Sequence, residues 1–265
     1  MRVAATTASA GRLRGWRLLG LVALMGAPCV IMAVNSLFAE GGRGAGFEFY
    51  GAVVAHMYAA TLLPLALISL GTGIFGDEWA GGTAHYVVGV PLPRWALVVG
   101  RWLATVARAL VFVLPAMVLI YLLALLPYDG AVGHYAVDLL WVLGVISLLS
   151  LAYTSLFLCL GLALKRAVMW GVVYVFAIET AVSKLPQAFA SISLAFHGRN
   201  LLWRITEREA FRPITLDQFE TEPPTVLGSL GWIGGFVLVT LFAATLALRR
   251  KECGGDGGGK DSSET

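Results

Sequence analysis

Apolar residues run through this chain in long blocks separated by short polar breaks. The blocks cover about 18–38, 52–74, 103–126, 137–164, 168–185 and 226–248. A helix needs about 20 apolar residues to cross the hydrocarbon core of a bilayer. Five blocks meet that length. The block 168–185 is shorter and carries Glu179 and Lys184. The pattern predicts an all-α polytopic membrane protein with six transmembrane helices, forming one transmembrane domain over 18–248. Lys165-Arg166 leaves almost no loop between the fourth and fifth blocks, so those two helices form a tight hairpin. Pro64 and Pro115 are expected to kink the second and third spans.

The breaks carry most of the remaining information. Residues 1–17 hold four arginines and a short GRLRGWR piece, which reads as a cytoplasmic amphipathic lead-in with Trp16 at headgroup depth. The following block is longer than a signal-peptide core, so the first span is read as uncleaved. Gly76–Trp102 is polar and broken by Gly and Pro: Thr83–Val90 is fenced by Gly81-Gly82 before it and by Pro91 and Pro93 after it. Gly breaks a helix through backbone entropy and Pro through a missing N–H and a clash, so a short helix or turn is isolated there. The segment 186–225 places Phe189, Ile192 and Phe196 at helical spacing, with Gly198 as a break before Leu201, Leu202 and Trp203. It reads as one or two interfacial helices on the outer face. Residues 249–265 are low-complexity and read as a disordered cytoplasmic tail.

Composition agrees with a membrane class. The 265 residues are 58% hydrophobic and 13% charged, against roughly 25% charged in a soluble domain. Charge then fixes orientation through the excess of Lys and Arg on cytoplasmic segments. With the N-terminus inside, 13 of the 19 basic residues fall on that side. This predicts an inner (plasma) membrane protein with both termini cytoplasmic. Arg199, Arg204, Arg208 and Arg212, all in the outer loop, weigh against it. The net charge of +3 points to no nucleic acid, because the basic residues sit beside apolar spans. Three scattered cysteines, Cys29, Cys159 and Cys253, form neither a disulfide framework nor a metal cage.

Enzyme signatures are missing, and the chain is read as no enzyme, with no cofactor of its own. Gly71, Gly73 and Gly76 match G-x-G-x-x-G but end a membrane span, where small residues let helices pack closely. Gly254–Lys260 match G-x-x-x-x-G-K, yet Asp261 stands where Ser or Thr should meet magnesium. Inside the spans, Glu179 and Lys184 are candidates for a pathway, because ionisable groups there are costly and face the bundle interior or water. The alternative places both near the outer interface with Lys184 snorkelling. On the first reading Glu179 faces the pathway or a dimer seam. His56, in the second span, is either a packed, hydrogen-bonded histidine or a pathway group.

The central stretch resembles the cytoplasmic segment between the second and third spans of type-2 ABC transporter permeases, the membrane subunits of type V exporters. Glu78 is followed three residues later by Gly82-Thr83, then by the apolar Tyr86–Val90 and Pro91; Pro93-Arg94 stands in for Ser-Arg, and Gly100-Arg101 for Gly-Lys. The six-span layout, the lead-in and the outer loop match the same family. The resemblance implies an exporter half that pairs with a second permease, alike or different, in the lipid bilayer. Separate ABC ATPase subunits would bind Mg-ATP and grip a coupling helix between spans two and three. The coupling residues would be Asp77, Glu78, Gly82, Thr83, Tyr86, Val87, Val90, Pro91 and Arg94, with Thr83 capping the short helix and Pro91 stopping it. In that family the fifth span is often re-entrant and continues into outer helices. The rival readings are a secondary transporter, which needs a coupling-ion site, and a scaffold subunit with no transport path.

Overall fold

The computed structural model describes residues 15–38, 42–80, 93–164, 166–182, 187–212 and 223–253. Among these the regular structure is all helical. Helix α1 is Gly15–Leu37. A continuous helical run follows, made of α2 (Arg43–Ala52), a π-helical stretch Val53–Leu62 and α3 (Leu63–Ala80). Helix α4 is Arg94–Leu125, α5 the single turn Ala131–His134, α6 Ala136–Ala163 and α7 Ala167–Tyr174, which a second π stretch, Val175–Ala181, continues. Then come α8 (Gln187–Ala190), α9 (Leu194–Thr206), a 3-10 turn Glu209–Phe211 and α10 (Val226–Cys253).

Four helices are long and apolar enough to cross a membrane: Arg43–Phe75, Arg94–Leu125, Ala136–Ala163 and Val226–Arg250. Ala23–Leu37 and Ala167–Ala181 are apolar but shorter. Where they are described, all six apolar blocks are therefore helical, and four have spanning length. Burial ranks them. In Arg43–Phe75 and Ala136–Ala163, 61% of the apolar window is buried by protein, against 33% in Arg94–Leu125 and 22% in Val226–Arg250. The second and fourth blocks thus form the centre. Helices α4 and α10 turn Val111, Leu119, Leu238, Val239 and Phe242 outward. So much exposed apolar surface suits lipid rather than water, and the protein is a membrane protein.

Glycine lets α3 and α6 approach closely. A methyl group on Gly161 would sit 2.8 Å from the Thr72 carbonyl oxygen, and one on Gly71 would sit 2.5 Å from Phe157 Cβ. The G-x-G-x-x-G match thus has a packing role at Gly71. Thr240 adds a polar cross-brace, its hydroxyl donating to Ser155 at 2.8 Å and so joining α10 to α6.

Two apolar clusters identify the ends of the bundle. The smaller joins Phe75 of α3, Leu97 and Trp102 of α4, Leu158 of α6, and Ala244 and Leu248 of α10. The C-terminal parts of α3, α6 and α10 therefore share one end, the basal end, with the start of α4. At the opposite end Phe47 stacks on Tyr135 at 4.2 Å and meets Phe211 edge-on. Arg208 there pairs with Asp138 at 3.2 Å and lies over both stacked rings.

The segment before α10 departs from expectation. Gly198 is not a break: it lies within α9, where a methyl group would come 2.7 Å from Leu149 Cδ1. Nor does α9 lie on an interface. Nine consecutive residues, Leu194–Leu202, are buried, so the helix enters the bundle and needs that glycine to reach α6. Phe189 and Ile192 are exposed and separated from Phe196 by the Ser193 cap. Residues 249–253, expected in the tail, complete α10; 254–265 and 1–14 lie outside the described residues. Pro115 sits inside the unbroken α4, while Pro64 is the second residue of α3, just past the first π stretch.

Replacing Gly161 by Ala should destabilise the protein by about 1–3 kcal/mol, because backbone atoms of Thr72 cannot yield cheaply. Gly133→Ala, with open space around it, should stay within about 0.5 kcal/mol. Thermal unfolding in nanodiscs compares the two.

Candidate functional site

The predicted coupling residues flank or fall in a gap of the description. Asp77 and Glu78 are in the last turn of α3, and Arg94 is the first residue of α4. Gly82, Thr83, Tyr86, Val87, Val90 and Pro91 lie outside the described residues, as does Lys184. The described site is the polar cluster around Glu179, at the end away from the basal cluster.

Glu179 is completely buried. Its Oε1 accepts from the Tyr174 hydroxyl at 2.7 Å and the Leu194 N–H at 3.1 Å. Its Oε2 accepts from the Ser193 hydroxyl at 2.6 Å and the Ala195 N–H at 3.0 Å. The carboxylate therefore sits on the N-terminus of α9, where unpaired N–H groups and the helix dipole favour negative charge. The Ser193 hydroxyl also accepts from the Phe196 N–H at 3.2 Å, and the Ser193 carbonyl from the His197 N–H at 3.5 Å. The Ser193 N–H donates to the Ala190 carbonyl at 3.0 Å, so all four N–H groups that precede the first intrahelical bond, Ser193–Phe196, are met inside the protein.

The π stretch makes this reach possible. In a π-helix the bonding partner is five residues away, which brings residues i and i+5 toward one face. Tyr174 and Glu179 are five apart, and Thr180 returns its hydroxyl to the Val175 carbonyl at 3.2 Å over the same interval. The first π stretch has a related cause. Its register assigns the Ala59 carbonyl to the N–H of residue 64, which proline lacks. The Tyr153 hydroxyl stands 3.5 Å from that carbonyl and also interacts with Glu179.

Arg199, on α9, ties the two π stretches together. Its Nη1 donates to His56 Nδ1 at 3.1 Å, and Glu179 acts on the same guanidinium. Because arginine only donates, His56 accepts through Nδ1 and carries its proton on Nε2. Burial pushes the Arg199 guanidinium down from its ordinary value, and Glu179 and Tyr153 oppose that. Two residues before Arg199, His197 Nε2 donates to the Ser191 carbonyl at 2.8 Å, so its Nδ1 faces the Ser229 hydroxyl, 3.2 Å away, as acceptor. Burial pushes this imidazole down as well, against the bond to Ser191. Asn200 donates to Ser229 Oγ and to the Pro224 carbonyl, both at 2.9 Å. These bonds fasten α9 to the start of α10.

Within this chain Glu179 is enclosed, because the α9 N-terminus supplies the donors it would otherwise seek from water. His56 is half-buried and hydrogen-bonded to Arg199. Sequence reasoning missed Arg199, Ser193, Tyr153 and Tyr174 as the groups that act on Glu179. Only Ser193 carried a signal, as a Ser placed to cap a helix; the others meet through packing across the fold. Neither a scan of protein-family models nor a search of curated proteins finds a match to the chain.

Glu179→Gln puts an NH2 group among four donors. Hydrogen bonds to a charged group are worth about 1.5–3 kcal/mol each, so amide exchange over Leu194–Phe196 should rise at least about tenfold. Ser193→Ala should cost about 0.5–2 kcal/mol through the lost cap, with a smaller rise in the same amides. Hydrogen exchange read by mass spectrometry distinguishes the two.

Proposed function

We propose that this chain is the permease subunit of an ATP-binding-cassette exporter. It forms half of a homo- or heterodimer and is driven by Mg-ATP hydrolysed on separate ATPase subunits. The observation that carries the reading is the basal end. There α3 ends at Ala80, α4 begins at Arg94, and both pack into one cluster with α6 and α10. The segment 81–92, with its Gly82-Thr83 and Pro91, is therefore anchored at each end on packed helices. A push on a segment held this way moves helices rather than slack chain.

Six spans with both termini cytoplasmic complete the reading. Helix α1 serves as the first span, and α7 with its π stretch as a short fifth span, from which α9 re-enters the bundle. The outer arginines that weighed against this orientation have partners within the protein. Arg208 pairs with Asp138 and Arg212 with Glu209; Arg199 binds His56, and Arg204 binds the Pro223 carbonyl. A secondary transporter would need an acid open to its coupling ion, and the enclosure of Glu179 by four donors argues against that role.

Single cysteines at residue 45 and within 205–220 should label from outside intact cells, while one at residue 85 should not. Outside labelling at 85 contradicts the topology. Glu78→Ala, Arg94→Ala and Val87→Asp should each weaken copurification of the ATPase; breaking a partly buried charge pair costs about 2–5 kcal/mol of association. Normal copurification and transport in all three contradicts a coupling role for the segment.

A further inference from the structure

Arg101 is a buried cation that the site around Glu179 does not use. It lies two turns into α4 and is 2% exposed. Its Nη1 donates to the Ile74 carbonyl of α3 at 3.1 Å, and its guanidinium lies 4.7 Å from the centre of the Phe75 ring. A guanidinium over an aromatic face gains a cation–π attraction that strengthens when water is excluded. The next residue faces another helix. The Trp102 indole N–H lies 3.2 Å from the Leu151 carbonyl and 3.1 Å from the Thr154 hydroxyl of α6. Two adjacent side chains of α4 thus grip both central helices, α3 and α6, at the basal end.

This arrangement bears on force transmission. Two helix ends joined only by a connecting segment can splay when that segment is displaced, and the displacement is then lost locally. Phe75, Leu97 and Trp102 supply apolar contact against splaying, but such contact is non-directional and lets surfaces slide. A charge-assisted bond to one carbonyl, combined with stacking on the neighbouring ring, fixes the register of α3 against α4. We propose that Arg101 is the positioning residue that makes α3 and α4 move as one body, so that displacement of 81–92 reaches α6 through Trp102. The inference rests on the exporter reading and adds to it the residue that converts docking into movement of the bundle.

The test uses the full-length chain in nanodiscs with the ATPase that copurifies from the native membrane. Arg101→Met keeps most of the side-chain volume and removes the charge; Arg101→Lys keeps a donor and loses the planar stack; Arg108→Met, two turns further along α4, is the control. In Arg101→Met, copurification should stay within about twofold. Permease-dependent stimulation of ATP hydrolysis should fall about tenfold, the effect of a coupling energy in the usual range. Amide exchange over 74–80 and 94–98 should rise about tenfold as the ends open locally. Lysine should restore part of both, and Arg108→Met should change neither. Unchanged exchange in Arg101→Met overturns the pin. Faster exchange with intact stimulation overturns the transmission role, and so does loss of copurification in Arg101→Met, which would make Arg101 a docking residue. If the wild-type chain brings down no ATPase, the exporter reading fails and takes transmission with it, while exchange still decides whether the pin exists.

Discussion

A carboxylate enclosed among apolar helices is the strongest constraint on this fold. Burying an ionised group without partners is prohibitive, and partners must arrive with good geometry. The protein meets the demand by facing one unfavourable group with another. Helix α9 enters the bundle with a set of N–H groups that no water reaches, and Glu179 arrives with four acceptor positions to fill. Ser193 serves both, donating to the carboxylate and capping the helix. Neither Glu179 nor the α9 terminus would be tolerable in that interior alone. The π stretch bearing Glu179 and the glycine at 198 follow from the same meeting, the first by turning the acid toward α9 and the second by letting α9 approach α6.

The two ends of the bundle are built differently. Around α9, polar bonds to helix termini, carbonyls and rings hold the segment before α10 in place. Among the described residues the basal end holds an apolar cluster, with directional contacts from Arg101 and Trp102. Between them α3 and α6 run together with glycine at points of backbone contact. Close-packed interiors transmit displacement instead of absorbing it. A motion received at the basal end would therefore reach the Glu179 cluster along that pair.

Hydropathy revealed where the helices are, because long apolar blocks have one stable backbone solution in lipid. It misplaced their ends. Helix α4 begins at Arg94 rather than near 103, and the second block is helical from Arg43, since polar turns extend a helix beyond its apolar stretch. Gly198 misled because glycine signals both a break and a close approach, and only the neighbouring Leu149 decides between them. The π stretches had a partial sign in Pro64 and none around Glu179. The Tyr174, Ser193, Leu194 and Ala195 donors to Glu179 lie 5 to 16 residues away and Arg199 meets His56 across 143, so folding, not local spacing, brings them together. The proposed coupling segment is the reverse case: its resemblance rests on sequence order, and Gly82 to Pro91 lie outside the described residues.

The exporter reading is tested most directly by the composition of the assembly. The native complex, extracted into nanodiscs without overexpression of any single subunit, can be weighed by native mass spectrometry. The reading predicts two permease chains, this one paired with itself or a second permease, together with two ATPase subunits that retain nucleotide when Mg-ATP is supplied. A particle that holds this chain without any ATP-binding subunit, under conditions where membrane complexes survive extraction, contradicts it.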